Sequence, residues 1–492
     1  MKSIVDGLKD LIVSLTLHDM PIDAELRRSL EAAHRIALSH LDNLDGGSVA
    51  ATANSAALRQ RLGKPLPEAG TPPEQVVTEL ADAVEAGLHG SAGGRFFAFV
   101  IGGALPAALA ADWLTSAWDQ NAAQYSASPA ASVVEEIAGA WLKDILGLPP
   151  EASFALVSGC QMAHVTCLAS ARHALLQKCG WDVEKQGLYG APPIRILSTQ
   201  LRHGSIDRAV RFLGLGTSQI TSLSVDSFDR VRPDDLAREL ERAAPEPTIV
   251  VLQAGEINTG AYDAFETIIP LAQHHAAWVH IDGAIGLWAA ASPSYRHLVK
   301  GIENADSWAT DGHKWLNLPF DCGYAFVADS ESHRASMAYR ADYLTYASDA
   351  RDQCDWNPEW SRRARGFPTY AALRQLGTAG VSALVERCCQ HCYALVTRIG
   401  SLPGAEILWE PQINQGLVGF LSPLSGASTE DHGRWTDQVI AEIAASGEAF
   451  FSGTTWRGRR AMRVSVSNWR TSTADVDRVV GAVARILRKA AQ

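Results

Sequence analysis

Residues 248–252 read Thr-Ile-Val-Val-Leu and residues 278–282 read Trp-Val-His-Ile-Asp. Both runs are short, apolar and rich in β-branched or aromatic side chains, and one helical pattern, Ala264–His275, lies between them. Strand, helix and strand in that order make a βαβ unit, whose crossover requires parallel strands. Working outward, Ile194-Arg-Ile-Leu-Ser198 and Gly323-Tyr-Ala-Phe-Val327 are further strand candidates, and Ser205–Leu213 and Pro233–Ala243 are further helical patterns. The stretch from Gln161 to Ala328 is therefore expected to fold as an α/β domain around a mostly parallel sheet. Ligands of such sheets gather at the carboxyl ends of the strands, so the residues that follow each strand carry the interest.

Either side of this stretch the pattern changes. Residues 1–90 read as a helical segment. Thr71-Pro-Pro-Glu74 combines a capping box with prolines in a first turn, and Val76, Val77, Leu80, Val84 and Leu88 then repeat at helical spacing. Such an arm packs on its own core or embraces a partner subunit. After Arg365 a long helix from Tyr370 leads out of the sheet, and strand-like Leu417–Leu421 and Met462–Val466 precede a terminal helix from Thr473. The expected organisation is a helical segment over 1–90, a large α/β domain over 91–375 and a small α+β domain over 376–492.

Composition excludes several classes of function. The 492 residues are 47% hydrophobic, with 43 basic and 54 acidic side chains giving a net charge of −11. No long basic stripe offsets that charge, so nucleic acid is not an expected partner. Asp6 and Asp10 interrupt the first apolar run, and the stretch Phe96–Ala111 is broken by Gly102, Gly103 and Pro106. The first does not suit a secretory leader, and the second does not suit a membrane span, which needs about 18 or more continuous apolar residues. The eight cysteines have no framework spacing, which makes the cytoplasm the default location. Cys388-Cys-Gln-His-Cys392 lacks a second ligand pair at structural-zinc spacing and reads as core cysteines on a helix, so no metal is expected.

The chemistry concentrates in Trp308-Ala-Thr-Asp-Gly-His-Lys314-Trp-Leu-Asn317. Lys314 lies between His313 and Trp315, 32 residues after Asp282 at the carboxyl end of its strand. A lysine amine forms Schiff bases, and a buried aspartate holds a pyridine nitrogen protonated. Those are the two protein groups that pyridoxal phosphate requires. A Lys–Asp ion pair at a domain seam is the other reading of the same spacing. His203, after the strand ending at Ser198, is placed to stack on a flat ring or to cap the helix that follows. Ser158-Gly-Cys-Gln161 opens a helix whose N-terminus suits a phosphate.

Taken in order, these segments resemble the pyridoxal-phosphate-dependent decarboxylases of the glutamate and aromatic-amino-acid group, which have the aspartate-aminotransferase fold. The resemblance runs from Arg95-Phe-Phe-Ala-Phe to the C-terminus. It includes Ser128-Pro-Ala, Asn258-Thr-Gly-Ala-Tyr-Asp, His280-Ile-Asp282, the Lys314 block with Phe320-Asp-Cys-Gly, and Arg362-Arg-Ala-Arg365. It implies that Lys314 holds pyridoxal 5'-phosphate, Asp282 pairs with the pyridine nitrogen and His203 stacks on the ring. Ser158, Gly159, Cys160 and Gln161 would cradle the phosphate, with His313 beside it. Arg463 would receive the substrate carboxylate or would simply be a strand residue. Tyr343, with Tyr346 second, would protonate the α-carbon. The implied reaction is α-decarboxylation of an L-amino acid to its amine by a homodimer. A transaminase or carbon–carbon lyase on the same cofactor, or decarboxylation coupled to deamination, is the chemical alternative, and a non-catalytic binding protein is the alternative from another class. Glu256, where relatives carry a small hydroxyl residue, either meets a basic substrate or supports the site from behind.

Overall fold

Seven strands form the large sheet of a computed structural model that describes residues 24–243, 245–339 and 350–490. The strands are β1 (Ser153–Val157), β2 (Arg195–Thr199), β3 (Ile220–Leu223), β4 (Thr248–Gln253), β5 (Trp278–Asp282), β6 (Ser307–Asp311) and β7 (Gly323–Val327). Their spatial order is β1-β7-β6-β5-β4-β2-β3. Only β7 runs against its neighbours, pairing antiparallel with β1 and β6, and the other pairs are parallel. The mostly parallel α/β sheet expected from residues 248–282 is thus present.

Alternation along β4 shows how the core is divided. Ile249 and Val251 enter one buried cluster, while Val250 and Leu252 enter the cluster on the opposite face. Successive side chains of a strand point to opposite faces, so a strand covered on both must be apolar throughout. Two clusters, one per face, replace a single core.

The chain divides into two compact units, residues 1–90 and 91–492. The first holds α1 (Ala24–Asn43), α2 (Ser55–Leu62) and α3 (Pro73–Val84). The capping box expected at Thr71–Glu74 is not formed. Pro72 takes the cap position of α3 and makes no side-chain bond, while Glu74 pairs with Arg28. Pro72 and Pro73 start the helix through their fixed φ instead. Val76 and Leu80 remain exposed on α3.

In the second unit α4 (Pro106–Trp118) and α5 (Pro129–Leu146) precede β1, and Ser128 caps α5 by accepting from the Ala131 amide at 3.3 Å. α6 (Cys160–Lys178) follows β1 at once. α7 (Gly204–Phe212), α8 (Pro233–Ala243) and α9 (Phe265–His274) are the helices between parallel strands. The long helix α10 (Gly366–Gly400) is kinked at Gly377, whose φ of 59° lies in the left-handed region that glycine tolerates. Cys388, Cys389 and Cys392 lie buried along it, as core cysteines. Beyond it, β8 (Ala405–Trp409), β9 (Gln415–Phe420), β10 (Ser452–Trp456) and β11 (Arg459–Ser465) form an antiparallel sheet in the order β10-β11-β9-β8. α11 (Thr429–Ala445) and α12 (Thr473–Ala490) complete the chain. No helix among the described residues is long and apolar enough to cross a membrane.

Candidate active site

Three loops at the carboxyl ends of the large sheet converge on Lys314. Strand β6 ends at Asp311, and Gly312, His313 and Lys314 follow directly. Lys314 Nζ lies 3.0 Å from Asp311 Oδ2. The other oxygen of Asp311 accepts from the Cys160 amide at 2.6 Å and faces His313 Nε2 at 3.4 Å. One carboxylate therefore ties the lysine loop to the first residue of α6. Burial works to lower the Lys314 pKa, but the facing Asp311 carboxylate, with Asp282 behind it, outweighs burial and raises it.

Asp282 ends β5, 6% exposed, and the Gln253–Asp282 pairing sets it level with the end of β4. Its Oδ1 is 3.6 Å from His164 Nε2, and His164 is in turn 3.4 Å from Cys160 Sγ. The polar atoms of Cys160, His164 and Asp282 all lie within 4.8 Å of one another. The sequence motifs for lysine, aspartate and helix start are thus brought to one place.

Close approach of backbone shapes the floor. A Cβ on Gly159 would lie 3.0 Å from His313 Cε1, and one on Gly323 would lie 2.5 Å from the Gly159 backbone. Only glycine at both positions lets the start of β7 pass under the start of α6. The first amides of α6 stand at the positive end of its dipole, that of Cys160 turned to Asp311 and those of Met162 and Ala163 to the Gly159 carbonyl. Ser158 is half-buried at this turn, and Gln161 reaches across to accept company from α7, donating Nε2 to the Ser205 carbonyl at 3.2 Å. His313 is fixed by the Cys322 amide donating to Nδ1 at 3.1 Å, and the exposed Phe320 ring covers it at 4.4 Å.

Two expected residues sit apart from this cluster by their contacts. His203 is exposed at the start of α7, where Nδ1 accepts from the Ser205 amide at 3.2 Å, so the capping role is realised while its ring stays open to solvent. Arg463, in the middle of β11, has a buried Nε with no acceptor among the described residues, and burial lowers its pKa against the opposing charge of Glu256. Glu256 is held by its own loop. Its carboxylate accepts from the Asn258 amide (2.7 Å), the Thr259 amide (2.7 Å), the Thr259 hydroxyl (3.0 Å) and Asn258 Nδ2 (2.8 Å). Tyr343 and Tyr346 lie outside the described residues.

Sequence reasoning missed Asp311, which stands in the quoted Lys314 segment, and His164, three residues beyond the quoted Ser158–Gln161. The spacing of Asp311 three residues before Lys314 and of His164 four residues after Cys160 was the available signal.

The geometry suits pyridoxal phosphate: an amine, a buried carboxylate on a strand end and a helix N-terminus stand together at the carboxyl ends of the sheet. The conserved domain of pyridoxal-dependent decarboxylases matches residues 56–422. The chain belongs to that family. The decarboxylase is 28% identical to the aromatic-L-amino-acid decarboxylase of Bacillus atrophaeus over 92% of this chain and 93% of that one. It is 28% identical to the L-2,4-diaminobutyrate decarboxylase of Rhizobium meliloti (strain 1021), covering 86% and 84%. Among solved structures, Oryza sativa TDC with PLP and tryptamine superposes with a TM-score of 0.89 at 22% identity, over 96% of this chain and all of that one. Mouse CSAD gives 0.88 at 22% identity, over 94% and 99%. The decarboxylase is a pyridoxal-phosphate-dependent carboxy-lyase that removes the α-carboxylate of an amino acid.

Proposed function

We propose that Lys314 is the residue that anchors pyridoxal phosphate, that Asp282 faces its pyridine nitrogen, and that the turn Ser158–Gln161 holds its phosphate. The observation that carries this reading is that the N-terminus of α6 meets Lys314 through Asp311 and meets Asp282 through Cys160 and His164. The donor set fits the cofactor: an amine for the aldehyde, an acid for the ring nitrogen and the positive end of a helix for the phosphate. Bound there, pyridoxal phosphate supplies the electron sink for the bond broken at the α-carbon.

The remaining steps belong to the protein. Lys314 must shed a proton before its amine is nucleophilic, and Asp311, 3.0 Å away, is the group beside it. His203 offers its exposed ring face to the cofactor plane, and His313 stands at the phosphate end. Arg463, whose Nε has no acceptor among the described residues, receives the substrate carboxylate. Tyr343, with Tyr346 second, returns a proton to the α-carbon. The buried floor around Asp282 and Cys160 limits water, which favours loss of a carboxylate charge.

The decarboxylase acts as a homodimer in this reading. Trp113, Leu114 and Trp118 on α4 and Val133 and Ile137 on α5 are exposed, as is Phe320 over His313. An exposed apolar surface of this kind marks an interface. Eight unpaired cysteines suit the reducing cytoplasm. The large and small domains divide within α10, near residue 375.

The test is CO2 release from the cofactor-loaded protein against aromatic, acidic and basic L-amino acids together with 2,4-diaminobutyrate. Release with one or two members is expected and names the substrate. Silence across the panel with the cofactor retained would favour the transaminase or lyase reading.

A further inference from the structure

Behind Asp282 runs a buried chain of polar side chains that the reaction as described does not use. Trp278 Nε1 lies 2.9 Å from Ser307 Oγ, Ser307 Oγ 2.9 Å from His280 Nδ1, and His280 Nε2 2.9 Å from His164 Nδ1. His164 Nε2 then faces Asp282 Oδ1 at 3.6 Å. His164, His280 and Ser307 have no exposed surface.

Donor logic gives the chain a direction. An indole nitrogen only donates, so Ser307 Oγ accepts from Trp278 and can give its own proton to His280 Nδ1, the arrangement that the carboxylate at the far end of the chain favours. His280 then carries its proton on Nε2 and donates to His164 Nδ1. His164 in turn carries its proton on Nε2, the atom that faces the carboxylate. The opposite assignment would leave Trp278 and His280 both donating to Ser307 and would turn a lone pair of His164 toward Asp282. Burial keeps both imidazoles neutral, holding each pKa down to about 3. His164 Nε2 also lies 3.4 Å from Cys160 Sγ, whose thiol burial pushes well up and keeps protonated.

We propose that His164 is a positioning residue, which uses the proton delivered by the Trp278–Ser307–His280 chain to fix the orientation of the Asp282 carboxylate toward the cofactor. This rests on the reading that Asp282 faces the pyridine nitrogen. His164 sits one turn into α6, whose first residues form the phosphate turn, so the same helix sets both ends of the cofactor. A carboxylate that meets a cationic ring partner gains most when its rotamer is already fixed, because no ordering remains to be done on binding. A neutral N–H beneath it fixes the rotamer without neutralising its charge, which a protonated imidazole would do.

The experiment titrates apoenzyme with pyridoxal phosphate and reads the dissociation constant from the absorbance of the bound cofactor. The proteins are wild type, His164→Leu, His164→Gln, Asp282→Asn and the double variant His164→Leu/Asp282→Asn, with the melting temperature of each apoenzyme as the folding check. His164→Leu should weaken binding about tenfold or more, the scale seen when a group orienting a ligand is lost. His164→Gln, which keeps an N–H near the same place, should stay within about threefold of wild type. In the Asp282→Asn background His164→Leu should add nothing. Unchanged affinity in His164→Leu overturns the proposal, as does an equal loss with and without Asp282, which would mark simple packing. Should the leucine variant not fold, a tenfold loss in His164→Gln overturns it instead. An Asp282→Asn variant that binds as wild type does would overturn the assignment of Asp282 itself, a separable failure.

Discussion

Replacing Glu135 by Gln tests whether one buried ion pair holds the strand that feeds the phosphate turn. Glu135 on α5 is fully buried and Arg362 nearly so, and Arg362 Nη2 donates to Glu135 Oε1 at 2.5 Å. Arg362 Nη1 also donates to the Leu156 carbonyl at 3.2 Å, next to the end of β1 and two residues before Ser158. Glu135→Gln leaves a guanidinium charge buried without its counter-ion, a class of change that costs about 3–5 kcal/mol. The unfolding entropy of a unit of roughly 400 residues is about 0.8 kcal/mol per degree, so the loss corresponds to a melting temperature lowered by about 4–6 °C. Calorimetry of the holoenzyme measures it. Arg362→Met should cost a similar amount, and the double variant Glu135→Met/Arg362→Met should cost less than the sum, because neither member of the pair is left facing an empty place, although Arg351 also loses the Glu135 charge. A shift below about 1 °C in Glu135→Gln, or strict additivity in the double variant, would refute the reasoning.

Two further outcomes follow from the same structure. Burial, working against amide donors from Gln253 (2.8 Å) and Val231 (2.7 Å), raises the Asp263 carboxyl to about 6. Because the folded state holds this proton more tightly than the unfolded chain, its stabilising contribution is complete below about pH 4 and is lost as pH rises through about 6, a change of about 3 kcal/mol. Asp263→Asn should therefore lose or gain stability relative to wild type by an amount that becomes more favourable between pH 4.5 and 7.5, measured by melting at each pH; a constant difference contradicts it. Gly159→Ala would place a Cβ 3.0 Å from His313 Cε1 and 3.4 Å from Asp311 Oδ1. It should weaken pyridoxal phosphate binding about tenfold in a titration of the apoenzyme while the apoenzyme melts within about 2 °C of wild type, and unchanged binding would show that the floor is not so tight.

How much of this was legible in the sequence depends on where the information lay. β4 and β5 could be read because both faces of each are covered, which forces an unbroken apolar run. β6, Ser307-Trp-Ala-Thr-Asp311, could not, because its strand character comes from pairing with β5 and β7 and not from its own polar ends. Without that strand, Asp311 looked like a loop residue and its partnership with Lys314 stayed hidden. His164 was missed for a related reason. α6 is buried along most of its length, so no amphipathic pattern sets one inward residue apart from another. Glu256 had two readings in sequence, and the four donors that close on its carboxylate come from a turn that no sequence pattern announced. Lys314 and Asp282 needed less, since a lysine and a strand-end aspartate in fixed order carry their chemistry with them.

The central claim is that Lys314 anchors the cofactor, and Lys314→Ala tests it most directly. The variant and the wild type should be loaded with pyridoxal phosphate, dialysed and compared by visible absorbance and by CO2 release on the substrate found. The account predicts that the wild type keeps a protein-bound visible band and the variant loses both band and turnover. An unchanged band in Lys314→Ala would contradict it.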